Sequence, residues 1–389
     1  MTQPFLPFAL PEIGDEEIHE VIDSLKSGWV TTGPKAKKFE ENFTEFLGDN
    51  RLQSIAVNSA TSGLHLALEA LGIGPGDEVV VPVYTFTATA EVVRYLGATP
   101  VFVDVDPVTF NITAPDLKAA VTSKTKAVVP VHFAGLPCEM DEILQVAKEY
   151  KLYVVEDAAH ALPSKYKGKL IGTLDSDFTV FSFYANKTMT TGEGGMVVTR
   201  NEDFAKRCRV MRLHGISRDA FDRYTSTKPA WFYEVIAPGF KYNMPDIAAA
   251  IGLHQLKRLN GFHEKRVKMA QVYQKELAHE SLILPFSGNN DKTHAWHLYP
   301  IRLSKEAKIS REDFIVEMSK LGIGCSVHFI PLHLQPYWRD TYRLNSEMYP
   351  HAQESYSQEV SIPLYTNMSD ADQQRVIDAI KKVLHCAQT

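Results

Sequence analysis

Cysteine is scarce and unpaired in this sequence. The 389 residues hold four cysteines, Cys138, Cys208, Cys325 and Cys386, with no CxxC spacing among them. They read as free thiols in a reducing compartment, not as a disulfide framework. No apolar run is long enough to span a bilayer, so no membrane partner is expected. The first residues, Met-Thr-Gln-Pro-Phe, carry neither a basic n-region nor an apolar h-region, and no secretory leader is expected. An excess of one charge is also missing. There are 41 Lys and Arg against 47 Asp and Glu, a net charge of −6, which argues against nucleic acid as the main partner. No GxGxxG opens a βαβ unit, which disfavours a nicotinamide dehydrogenase. Repeats and low-complexity tails are absent. These absences leave a soluble, cytoplasmic globular protein as the expectation.

What is present is a large apolar fraction. At 44% hydrophobic residues the chain can bury a sizeable core and divide into more than one domain. Amphipathic helices are expected at 15–26 and 35–47. From Ser54 a βα alternation begins. Strands are expected at 54–57, 78–83, 100–105, 127–132 and 152–156, and helices at 61–71, 89–96, 114–121 and 140–150. These strands are continuous apolar runs, the pattern of a mostly parallel sheet buried on both faces. A further strand pair at 178–183 and 196–199 and a helix at 203–213 follow. Residues 214–240 read as a long polar loop. The stretch 246–280 reads as helical segments with a break at Gly261. Short αβ units then begin: a strand at 298–303, a helix at 311–320, a strand at 326–329, a helix near 348–358 and a last helix at 370–385. The expected division is a large domain at 1–260, N-terminal segment included, and a smaller α+β domain at 261–389.

The most informative stretch is Phe181-Ser-Phe-Tyr-Ala-Asn-Lys187 followed by Thr191-Gly-Glu-Gly-Gly195. Lysine is usually a solvated surface charge. Here Lys187 lies between two β-like runs. A lysine in a partly apolar site has its pKa lowered, and its neutral amine can attack a carbonyl. That points to a Schiff base with pyridoxal 5′-phosphate (PLP). The cofactor needs an acid for its ring nitrogen, donors for its phosphate and a flat group on its ring.

Candidates for each role exist at the carboxyl ends of the expected strands, where open α/β sheets bind ligands. Asp157 ends the run Leu152 to Asp157, and a buried carboxylate there must be paired. A pyridinium N–H is a suitable partner; a turn aspartate is the plainer alternative. Asn58-Ser-Ala-Thr-Ser-Gly63 opens a helix, so Thr61 and Ser62 can hold a phosphate. An ordinary Ser/Thr helix cap explains the same string. Ser182 is a second phosphate donor candidate. Phe86 can stack on a ring or serve as core packing. His160 can reach the ring hydroxyl or be a satisfied buried histidine. His294, His297, His328 and His333 lack a third ligand type at a recognisable spacing, so no metal is expected.

Taken together these motifs resemble the DegT-type sugar-nucleotide aminotransferases. The resemblance rests on Val155-Glu-Asp-Ala-Ala-His-Ala161, the Lys187 stretch, Asn58 to Leu68, Tyr242-Asn-Met-Pro-Asp246 through Gly252, and Val327-His-Phe-Ile-Pro-Leu-His-Leu-Gln-Pro-Tyr337. It covers nearly the whole chain in order. It implies the PLP-dependent transferase fold type I, with a mostly parallel seven-stranded sheet, a small C-terminal domain and a homodimer with shared active sites. It also implies transfer of an amino group from L-glutamate to a nucleotide-linked keto-sugar. A 4-keto-6-deoxy hexose is favoured, because Val327 to Tyr337 resembles that branch. By position, Lys187 is the Schiff-base residue, Asp157 meets the ring nitrogen, His160 lies near the ring hydroxyl and Phe86 stacks on the ring. Thr61, Ser62 and Ser182 hold the phosphate, and Asn243 reaches it from the neighbouring subunit. Tyr184, His328 and Tyr337 meet the substrate. Tyr184 stands where many members have His, and Asn186 where many have Thr. Other acceptors (a keto-inositol, an aminobenzoate-type precursor) and a non-catalytic binding protein of the same fold are the alternatives.

Overall fold

The computed structural model describes residues 4–217 and 232–388. Its N-terminal helices α1 (Asp15–Ser27) and α2 (Pro34–Leu47) lead into the sheet region. The chain then runs through β1 (Gln53–Val57), α3 (Ala60–Ala70), β2 (Glu78–Pro82), α4 (Ala88–Tyr95), β3 (Thr99–Val103), α5 (Ala114–Ala120) and β4 (Thr125–Val128). Helix α6 (Met140–Tyr150) and strand β5 (Tyr153–Asp157) follow, then a small hairpin of β6 (Lys165–Tyr166) and β7 (Lys169–Leu170). Strands β8 (Phe178–Ser182) and β9 (Gly195–Thr199) and helix α7 (Glu202–Met211) complete the region.

Seven strands form one sheet in the order β1-β9-β8-β5-β4-β2-β3. The pairs β3/β2, β2/β4, β4/β5 and β5/β8 are parallel. Strand β9 runs against both of its neighbours, β8 and β1. The apolar strands meet the two faces alternately. Ile55, Val79, Val81, Val180 and Val197 pack into one core cluster, whereas Ala56, Val80, Phe181, Met196 and Val198 pack into the other. Helix α2 covers the second face through Phe39 and Phe43, one turn apart. The Phe43 ring lies 5.3 Å from Phe181 and 5.8 Å from Phe183. Burying each such ring contributes about 1.5–3 kcal/mol.

A single helix, Asp246–Glu276, links this region to the rest. Ala249, Leu253, Leu256 and Leu259 join the core of the large sheet, and Met269, Ala270 and Tyr273 join a separate cluster. That second cluster surrounds an antiparallel sheet of β10 (Leu282–Ile283), β12 (Tyr299–Leu303) and β13 (Glu359–Ile362). Strand β11 (Lys292–Thr293) pairs instead with β6. Helices Arg311–Lys320, Pro336–Tyr342, Pro350–Gln358 and Asp370–Gln388 complete the described C-terminal part.

Two local expectations need correction. Gly261 does not break the helix: the surrounding turns have good helix formers on both sides, and tertiary packing at each end holds the helix together. Position 260/261 therefore falls inside one continuous element. Residues 326–329 are not a strand either. Only Ser326 makes a bridge, to Ser361, after which His328 and Phe329 line a cavity beside the seven-stranded sheet. Of the long loop expected at 214–240, residues 218–231 lie outside the described residues.

Candidate active site

Lys187 sits on the connection between β8 and β9. The backbone closes this connection on itself. Phe183 N donates to Gly194 O and Thr191 N donates to Phe183 O, both at 2.9 Å. Thr190 Oγ1 donates to the same Phe183 carbonyl at 3.1 Å, and Thr190 N donates to Gln255 Oε1 of the long helix at 3.3 Å. Gly192 adopts φ +79°, a conformation that costs glycine little. Gly195 is required by close approach. A Cβ there would stand 2.8 Å from Ala60 N, 2.8 Å from Phe181 O and 2.9 Å from the Ser59 carbonyl carbon. This glycine thus lets β9 lie directly under the first turn of α3. Gly195→Ala is expected to destabilise the protein by about 1–3 kcal/mol, as overpacked sites do, read as a lower urea midpoint. An unchanged midpoint would mean the helix start can shift freely.

The first turn of α3 opens on a cavity of about 500 Å³, within the range that holds small ligands. Ser59 caps the helix, its side chain accepting from Ser62 N at 3.1 Å. Ser59, Ala60 and Thr61 line the cavity, so the positive helix end faces it. Phe86, Thr89, Asp157, His160, Ser182, Tyr184, Asn186, Lys187, His297, His328 and Phe329 also line it. Lys187, Asp157, His160, Phe86, Thr61, Ser182, Tyr184 and His328 are thus brought together from across the chain.

Three other residues singled out in the sequence lie outside this lining. Ser62 Oγ is engaged locally, donating to Asn58 Oδ1 at 2.6 Å. Asn243 bridges Val57 through its backbone, and its side-chain amide donates to Thr32 Oγ1. Tyr337 is exposed and rests its ring on Trp338.

Burial sets the electrostatics. It lowers the Lys187 ammonium to about 8, with the Asp157 carboxylate opposing the shift. Burial raises the Asp157 carboxyl, while donors and the nearby ammonium pull it back down. Those donors are Thr89 Oγ1 to Oδ2 at 2.9 Å and Ala159 N to Oδ1 at 3.2 Å. Burial pushes His160 and His297 well below the ordinary histidine value, and the Lys187 charge adds to both shifts. His160 is therefore neutral, and its tautomer is fixed. Ala134 N donates to Nδ1 at 3.2 Å, which leaves the proton on Nε2. The ring also lies 4.3 Å from the His297 ring and stacks on Phe329 at 5.8 Å.

Thr89 and His297 were not singled out for this site by the sequence. Thr89 opens the helix after the second strand and carries no motif of its own. In the sequence, His297 stands out only as a metal-ligand candidate beside His294. The structure turns His294 onto Trp296, ring centroids 4.0 Å apart, and His297 onto His160. The fold brings His297 against His160 and within reach of the Lys187 charge.

The sequence profile of the DegT/DnrJ/EryC1/StrS aminotransferase family matches residues 11–381. The chain belongs to this family. Uncharacterized protein MJ1066 of Methanocaldococcus jannaschii is 51% identical over 99% of both chains. Spore coat polysaccharide biosynthesis protein SpsC of Bacillus subtilis is 48% identical over 98% of this chain and 97% of its own. Among solved structures, the putative sugar aminotransferase Spr1654 from Streptococcus pneumoniae in its PMP form superposes with a TM-score of 0.91 at 34% identity. That alignment covers 98% of this chain and 100% of the other. The same protein in its PLP form gives a TM-score of 0.90. The family and the fold type expected from the sequence are therefore those found. No helix among the described residues is long and apolar enough to cross a membrane.

Proposed function

We propose that this chain is a PLP-dependent aminotransferase that moves an amino group from L-glutamate to a nucleotide-linked keto-sugar. A 4-keto-6-deoxy hexose is the favoured acceptor, and the product is an amino-sugar nucleotide for glycan or polysaccharide assembly. The observation that carries this reading is that Lys187 and Asp157 line one cavity at the start of α3 and feel each other's charge. The names of SpsC and Spr1654 support the sugar class.

The residues present fit the cofactor. Asp157 is a buried carboxylate whose protein partners are donors only, so it can accept one more hydrogen bond from a ring N–H. Thr61, Ser182 and the α3 N-terminus offer a phosphate site. Phe86 presents a largely exposed ring to the cavity. PLP, when bound, supplies an electron sink for the pair released as a Cα–H bond breaks. Lys187 would hold the cofactor aldehyde, and its neutral amine, once freed, would take the Cα proton of the amino donor and carry it to the carbon on the other side of the nitrogen. Asp157 holds the ring nitrogen protonated and so stabilises charge where it develops. His160, with its proton on Nε2, would be available to donate to the ring hydroxyl oxygen. Tyr184, His328 and Tyr337 meet the sugar nucleotide. Asn243, turned away from this chain's own cavity, serves the partner's phosphate in a cytoplasmic homodimer.

The test is a panel of nucleotide-linked 4-keto and 3-keto sugars offered with glutamate, reading 2-oxoglutarate release. Release with a keto-inositol alone would move the assignment to another acceptor class. The amine also makes a pH prediction. Lys187 is neutral above about pH 8. Cofactor-stripped protein is expected to take up PLP faster as pH rises towards that value, then level off. Uptake that keeps climbing to about pH 10, where ordinary lysines titrate, would contradict it.

A further inference from the structure

Behind His328 lies a hydrogen-bonded chain with no part in the roles given so far. His328 Nδ1 is 2.9 Å from Ser361 Oγ, and Ser361 Oγ is 2.5 Å from Glu359 Oε1. The second carboxyl oxygen, Glu359 Oε2, accepts from the backbone N–H of His328 at 2.9 Å. Glu359 and Ser361 are fully buried on β13, whereas His328 lines the cavity. The loop carrying His328 is pinned to the same strand by the reciprocal backbone bonds between Ser326 and Ser361. The bond geometry leaves the chain two ways to be satisfied. The backbone N–H fixes Oε2 as an acceptor, so any proton on Glu359 must sit on Oε1. A hydroxyl has one proton, so Ser361 can donate to Glu359 or to His328, not both.

We propose that Glu359 and Ser361 are positioning residues that set which tautomer of His328 faces the substrate. With Glu359 ionised, Ser361 donates to the carboxylate, Nδ1 keeps the imidazole proton, and Nε2 turns a lone pair to the cavity. With Glu359 protonated, Oε1–H donates to Ser361, Ser361 donates to Nδ1, and Nε2–H becomes a donor. One proton on a carboxyl some way behind the site thus reverses the hydrogen-bond polarity of a cavity residue. This deepens the proposed sugar-nucleotide reading and rests on it: the donor form suits an oxygen of the sugar.

The surroundings favour the donor form at neutral pH. Burial raises the Glu359 carboxyl to about 8, against the pull of Ser361, the His328 amide and Arg311. Arg302 is its strand partner, and Tyr84 and Cys325 also feel its charge. On the cavity side His328 faces Lys187, His160 and His297. Its own imidazole is lowered to about 4 by burial and by Lys187, so it stays neutral in either arrangement.

Glu359→Gln tests this with little change of shape. The backbone N–H of His328 still needs an acceptor, so the Gln oxygen takes the Oε2 place and its NH2 takes the Oε1 place. The NH2 then donates to Ser361 and locks His328 as Nε2–H at every pH. The measurement is nitrogen NMR of histidine-labelled protein, with the His328 signals assigned by their loss in His328→Gln. In the wild type, the Nε2 signal is expected to pass from protonated to bare as pH rises through about 8. In Glu359→Gln it stays protonated, and in Ser361→Ala the pH switch is lost. Kinetically, Lys187 titrates in the same range in both proteins, so the wild-type KM for the sugar acceptor should rise across that pH by about tenfold more than the KM of Glu359→Gln, the equivalent of one hydrogen bond. A wild-type Nε2 signal that does not respond to pH, or a Glu359→Gln signal that follows the wild type, overturns the proposal. Failure of the aminotransferase reading would look different: no turnover, with the nitrogen signals still switching.

Discussion

Lys187→Ala is expected to lower aminotransferase turnover by about 10³-fold or more, because it removes the proton-transfer group. The loss should fall on kcat. Thr61, Ser182, Asp157 and Phe86 remain around the cavity, so PLP can still enter. Its attachment is what changes. Borohydride treatment of the wild type should fix the cofactor to the chain as an added mass on the peptide holding Lys187. The alanine variant should show no such adduct. Stability is expected to hold, since removing a poorly solvated ammonium relieves a burial cost. The assignment would be sunk by a Lys187→Ala enzyme that still transaminates at the wild-type rate.

Asp157→Asn is the second large effect, expected at about 10²–10³-fold in turnover, the scale of one well-placed charge. The variant isolates charge from shape. Asn Oδ1 can keep the bond from Ala159 N. The Asn NH2 can donate to Thr89 Oγ1, which is free to turn its own proton to Thr85 Oγ1, 2.9 Å away. The thermal midpoint should therefore move little while activity falls. The amide cannot balance a protonated ring nitrogen, so the electrons released at Cα are poorly held. Wild-type activity in Asp157→Asn would refute a role for this charge. A collapse of the thermal midpoint would instead mark Asp157 as a structural group.

How much of this was legible beforehand depends on the range of the interactions. The strands of the large sheet were readable because both faces are buried and the runs are continuously apolar. Strand ends were less so: the expected strand at 127–132 ends at Val128, and the chain beyond it keeps a bond from Val129 N to Val80 O and a bridge from Val131 to Asp157. Thr61, Phe86, Asp157, His160, Ser182 and Lys187 could be grouped as cavity candidates because each lies at or just after the end of a strand in the first half of the chain, whereas Ser62 and Asn243 lie outside the cavity lining. Gly261 misled because a single glycine weakens a helix by about 1 kcal/mol, which packing at both ends outweighs. His297 and Glu359 were not read as site residues because neither belongs to a local motif.

The sequence by itself determined the βα alternation, the lysine between two strands and the acid at the end of a third, because these follow from period, burial and local turn chemistry. The tertiary structure alone decided what stands behind and across from that pair. It folded β13 against the loop at Ser326, placed Glu359 and Ser361 behind His328, and turned His297 onto His160. Hydrogen-bond polarity and the protonation of buried groups depend on neighbours distant in the chain. No window of sequence contains those neighbours.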